Sequence, residues 1–137
     1  MLDKVARGFA LFVNWFNGIC AIVCGALMMT GLWNDLIPLS LFENFPLRDV
    51  FFTSLFWPGL ALALVNGVPN LIALALRARG KRASSYTWGM VAGGMLVVWT
   101  AIEMVYVPNG LSVAYMLIGV LQLAASWHAR RAWQAAA

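Results

Sequence analysis

Charge is scarce in this chain, and over long stretches it is missing altogether. Lys, Arg, Asp and Glu make up 10% of the 137 residues, against about 25% in an ordinary soluble domain. The stretches 8–34, 50–76, 83–102 and 104–127 carry no fixed charge, and Glu103 alone interrupts the last two. Such a chain is not a soluble globular protein. Histidine occurs once, at His128, which excludes bis-histidine haem ligation, a His-rich metal site and a nucleophile–base–acid set. Cysteine occurs twice, at Cys20 and Cys24. A helical pair four residues apart holds its Cβ atoms about 5–6 Å apart, beyond disulfide reach. Met28 continues the same stripe, and the three side chains are read as packing groups rather than a soft Cu(I) site. No metal and no cofactor is expected.

What the chain has in abundance is apolar length. Hydrophobic residues form 63% of it and the mean hydropathy is +0.82, while about 20 apolar residues suffice to cross the hydrocarbon core of a bilayer. The sequence predicts an all-α integral membrane protein, one domain over 1–137, with spans near 8–33, 51–76, 85–107 and 111–128. Pro108, Asn109 and Gly110 form a turn that no helix continues through. The first apolar run is far longer than the 7–15 residue core of a signal peptide and contains Asn14 and Asn17, so it is read as a retained helix.

Lys4 and Arg7, then Arg77, Arg79, Lys81 and Arg82, then Arg130 and Arg131 cluster in the two tails and the second connection, whereas the external loop 34–50 holds Asp35, Glu43 and Asp49 with Arg48 alone. By the positive-inside rule the expectation is an antiparallel up-down bundle in the inner membrane with both termini cytoplasmic. A net charge of +4 spread over three juxtamembrane segments anchors topology against anionic lipid and does not indicate nucleic acid. In loop 34–50, Leu39, Leu41, Phe42 and Phe45 are expected to dip toward lipid or to cap the bundle.

Polar residues inside the spans fall on faces. Asn14 and Asn17 lie with Gly18, Ala21 and Gly25 on one face of the first span, and Gly59, Ala63, Asn66, Gly67 and Asn70 share a face of the second. At about 1.5 Å per residue the two asparagine pairs lie roughly 10–15 Å from the same end, so they can meet and hydrogen-bond as a polar seam. Pro69 removes a donor in the middle of the second span and predicts a bend there. Gly89, Gly93, Thr100 and Glu103 share a face of the third span, and Ser112, Tyr115, Gly119, Gln122 and Ser126 share a face of the fourth. The short turn between these spans puts Ser112 and Tyr115 at the depth of Glu103, so Glu103, Tyr115, Ser112 and Thr100 form the predicted ligand or proton site, with Gln122 added to the asparagine seam. Trp15, Trp33, Trp57, Trp88 and Trp127 fall near the predicted interfaces, as an aromatic belt requires.

In size and helix count the chain resembles the small multidrug resistance transporters, four-helix dimers that use one membrane glutamate. The resemblance implies a proton-coupled transporter, but it stops at architecture. Their glutamate lies in the first helix, where this chain carries its asparagine-rich seam. The expected function is therefore a small non-enzymatic membrane bundle that binds lipid or a small ligand or serves as an accessory subunit, since one acid and one phenol are too few for catalysis. Expected partners are membrane lipid and either a larger membrane complex or a second copy of the chain.

Overall fold

The computed structural model describes all residues, 1–137. It is helical throughout: α1 Leu2–Met29, a 3₁₀ turn Leu39–Phe42, a short α2 Arg48–Phe51, α3 Phe56–Leu62, a π-helical turn Ala63–Gly67, α4 Val68–Ala78, α5 Arg82–Tyr106 and α6 Gly110–Ala135. Taken together, α3, the π turn and α4 form one 23-residue rod, Phe56–Ala78. With α1, α5 and α6 this makes four helices long and apolar enough to cross a membrane.

The helix ends differ from the sequence expectation in physically sensible ways. The first helix stops at Met29, where the Thr30 hydroxyl turns back onto the carbonyls of Ala26 and Leu27. The second rod begins only at Phe56, because residues 52–55 bend ahead of it. The last helix runs well beyond 128, to Ala135, carrying Arg131 over the Trp127 ring at 4.6 Å. Arg82 lies 5.0 Å over Trp133. Cations at this end therefore rest on aromatic faces, which holds their stems against apolar surface while the charge stays wet.

Burial is inverted relative to a soluble protein. Leu117, Val98 and Val105 are among the many large apolar side chains left exposed, while Asn70, Thr100, Gln122 and Ser126 are among the most deeply buried. Small residues let backbones approach where the helices touch. A Cβ placed on Gly25 would lie 2.6 Å from the Gly59 carbonyl oxygen, and one on Gly93 would lie 2.8 Å from the Gly119 carbonyl oxygen. Contacts of this kind are the ones that hold helices together in lipid, where apolar burial between helices adds little. Along α5 and α6 the facing pairs are Glu103 with Ser112, Gly93 with Gly119 and Gly89 with Ser126.

The π turn ends two residues ahead of the predicted bend at Pro69. Pro69 has no N–H and its ring crowds the carbonyl four residues back. The rod relieves this upstream, where the Val68 amide reaches the Ala63 carbonyl in a widened turn, an arrangement frequent at functional sites. Asn70 Nδ2 donates to the Asn66 carbonyl at 2.7 Å, supplying a side-chain donor beside the defect.

At the 34–50 connection, the Phe52 ring lies 4.8 Å from both Phe42 and Phe45, and Phe45 packs on Tyr106 at 4.7 Å. These rings cap the end of α5, whereas Leu39 and Leu41 remain exposed. Leu47 takes a left-handed backbone conformation at φ 59°, uncommon for a residue with a branched side chain.

Candidate functional site

Two polar clusters occupy the bundle at different levels. The first gathers around Glu103, one turn before the end of α5. Its two carboxylate oxygens each accept one hydrogen bond: Oε1 from Trp99 Nε1 and Oε2 from Ser112 Oγ, both at 2.7 Å. Trp99 stands four residues before Glu103 and so shares its helix face. Ser112 is held in turn by Asn109, the N-cap of α6. Asn109 Oδ1 accepts from the Ser112 backbone amide at 2.8 Å, while its Nδ2 donates to Ser112 Oγ at 2.9 Å and to the Val107 carbonyl at 2.7 Å. The carboxylate is thus fixed by an indole on its own helix and by a serine that the following helix start orients.

Of the residues predicted to join it, the structure brings Ser112 to Glu103 but not Tyr115 or Thr100. Thr100 is buried and its hydroxyl is spent on its own helix, at the carbonyls of Leu96 and Val97. The Tyr115 hydroxyl, half-buried on α6, makes no hydrogen bond to Glu103. A three-residue step rotates a side chain by about −60° from its starting direction, which turns Tyr115 away from the direction Ser112 takes toward Glu103. Trp99 was missed by the sequence reading, although its four-residue spacing from Glu103 was available as a signal.

Beside Trp99 an apolar groove of about 590 Å³ runs between the second rod and α5, lined by Val65, Val91, Gly94, Met95, Val98 and Ile102 as well as the indole. Its floor is open at Gly94, where an added Cβ would touch nothing within 4 Å. The groove opens outward on the apolar perimeter, and the Trp99 indole joins it to the Glu103 carboxylate.

The second cluster is the amide seam. Gln122 is wholly buried on α6 and uses both hydrogens of Nε2, one to Asn14 Oδ1 on α1 and one to Asn70 Oδ1 on α4, each at 2.7 Å. One side chain therefore ties three of the four long helices. Asn17 and Asn66 are buried in the same seam without a protein hydrogen-bond partner for either amide atom. Nearer the 79–81 turn, Ser85 Oγ donates to the Ala73 carbonyl at 2.7 Å, and Arg77 bonds the Tyr86 hydroxyl at 2.7 Å. His128 pairs with Asp3 at 2.7 Å and joins α6 to the start of α1.

The class these features define is an all-helical protein with four helices long and apolar enough to span a membrane, a polar interior and one fixed carboxylate inside its apolar length. No protein-family model matches the chain, and no curated protein or solved structure matches it either.

Proposed function

We propose that this protein is a small non-enzymatic bundle of the inner membrane that binds a lipid or lipid-like amphiphile at Glu103. The observation that carries this reading is the juxtaposition of a carboxylate, held on both oxygens by Trp99 and Ser112, with an apolar groove that starts at the same indole. A polar head meets Glu103 and an acyl chain lies along Val98, Met95 and Gly94. An ionised carboxylate has acceptor capacity beyond the two donors it already holds, so it can take a further donor from a headgroup.

In this reading the chain is a single antiparallel up-down domain with both termini and the 79–81 turn cytoplasmic. The distribution of basic residues supports that orientation, and the pairing of residue 103 with 112, 93 with 119 and 89 with 126 supports the hairpin. Glu103 then lies near the outer surface, where a charge costs less than at the bilayer centre. The protein works as an accessory subunit of a larger membrane complex or as a homodimer.

The test is native mass spectrometry of the chain released from lipid nanodiscs, for the native protein, Glu103→Gln and Gly94→Leu, the last filling the groove floor from open space. Lipid retained by the native chain and lost from both variants supports the reading. Retention that is equal in all three overturns it, and a stoichiometric protein companion without lipid makes the chain an accessory subunit alone.

A second reading, a proton-coupled transporter acting as a dimer through Glu103, draws on the widened turn at Ala63–Gly67 beside Pro69, the kind of backbone irregularity that lines transport pathways. It requires Glu103→Gln to abolish pH-dependent ligand binding with the fold intact. Unchanged binding in that variant removes it.

A further inference from the structure

The amide seam leaves atoms over. Asn17 Oδ1 and Nδ2, Asn66 Oδ1 and Nδ2, Gln122 Oε1 and Ser126 Oγ are all shielded from solvent, and none bonds another group of the protein. The four residues are 5%, 4%, 0% and 0% exposed. Buried polar groups in native proteins find partners. Among the neighbouring polar groups, Asn14 Oδ1 and Asn70 Oδ1 already hold the Gln122 amide and the Ser85 hydroxyl is on the Ala73 carbonyl.

The chemistry of the six atoms selects their partner. Two carboxamides offer both donors and acceptors, Gln122 offers an acceptor and Ser126 offers either. No ionised side chain belongs to the group. An anion would meet the carbonyl oxygens, and a bare cation would meet the NH₂ groups with no carboxylate to balance it. Several small neutral molecules, each donating and accepting at once, match all six, and water has that chemistry.

The arrangement has two unequal ends. Ser126 lies against Gly89, Gln122 is one turn or about 6 Å further along α6, and Asn17 and Asn66 continue the line. Beyond them, toward the 34–50 connection, the backbone contact of Gly25 with Gly59 closes the bundle, and Gly93 against Gly119 closes the α5–α6 side level with Asn17. In the other direction lie Ser85, Tyr86 and the Arg77 guanidinium, polar groups leading to the 79–81 turn.

We propose that the bundle interior binds a file of water molecules bridging Asn17, Asn66, Gln122 and Ser126, supplied from the end bearing the 79–81 turn and stopped at the glycine contacts. This site is independent of Glu103 and stands whether or not the carboxylate binds lipid.

The experiment is water-edited solid-state NMR of the isotopically labelled chain in bilayers of deuterated lipid. Magnetisation from water reaches the side-chain amides of Asn17, Asn66 and Gln122 at the mixing time that suffices for Asn34 in the exposed connection, while Ala92 and Leu96 receive none. In Ser126→Ala, which removes one hydroxyl without adding bulk, the transfer to Asn17 and Asn66 falls and the rest of the spectrum is retained. Absence of transfer to Asn17 and Asn66 in the native chain overturns the proposal. Transfer undiminished in Ser126→Ala overturns the entry route, and shifts of these amides on exchanging choline chloride for sodium chloride overturn the neutral occupant.

Discussion

Replacing Gln122 by methionine keeps the length of the side chain and removes both donors that tie α1 and α4 to α6. Hydrogen bonds between membrane helices contribute about 0.6 kcal/mol on average and up to about 1.7 kcal/mol, so the two 2.7 Å bonds together supply roughly 1–3 kcal/mol. Asn14 Oδ1 and Asn70 Oδ1 lose their donor in a place that bulk solvent does not reach, which raises the cost. Loss of Gln122 Oε1, itself without a protein partner, lowers it. The expected net destabilisation is about 1–3 kcal/mol, read by reversible unfolding in bicelles under steric trapping. A double-mutant cycle sharpens the measurement: Asn14→Leu costs less in the Gln122→Met background than alone, with a coupling of about 0.5–2 kcal/mol. If Gln122→Met is neutral and its effect adds to that of Asn14→Leu without coupling, the three-helix tie does not exist and the reasoning fails.

The two adjacent glycines Gly93 and Gly94 respond oppositely to alanine. A Cβ at Gly93 would stand 2.8 Å from both the Gly119 carbonyl oxygen and the Leu123 amide nitrogen, so Gly93→Ala destabilises by about 1–3 kcal/mol; Gly94→Ala meets open space and gains up to about 1 kcal/mol of helix propensity, and thermal unfolding of the pair checks both signs. Asn109→Ala removes the cap of α6 and costs about 1 kcal/mol, with Asn109→Ser recovering most of it, as measured by the same unfolding assay. Trp99→Phe keeps an aromatic ring on the groove and deletes one donor to Glu103, so lipid retention in native mass spectra weakens by several-fold at most, less than in Glu103→Gln; equal loss in both would mean that the indole and not the carboxylate holds the ligand. Leu47→Gly relieves a left-handed backbone and raises the melting temperature, in keeping with a strain of about 1–2 kcal/mol at a non-glycine residue there.

Helix number and polar faces were readable because apolar length and three- and four-residue spacing are properties of the string itself. Asn14, Asn70 and Gln122 meet because each lies at a matching depth, which counting residues from the helix ends reveals. Ser112 reaches Glu103 for a similar reason, since only residues 107–109 separate the helices. Tyr115 makes no bond to Glu103 because a shared face is a broad arc, and within that arc about 60° separates its direction from that of Ser112. The π turn was illegible because proline marks the presence of a winding defect without saying on which side the backbone relaxes. The groove was illegible too, as it depends on the spacing of two rods whose lining residues look like any lipid-facing stripe.

The Asn14–Gln122 bond joins positions 108 residues apart, and that separation is also an interval of time. At a synthesis rate of about 5–20 residues per second, α1 precedes its α6 partner by roughly 5–20 s. Throughout this interval the Asn14 carboxamide has no Gln122 to meet. Residues 107–109, by contrast, allow α5 and α6 to insert together as a ready-made pair. The second rod, whose Gly59 and Asn70 pack on Gly25 and Gly18 of α1, is made before α5 and α6, so α1 has a docking partner early and the Gln122 tie to α6 is the last to close.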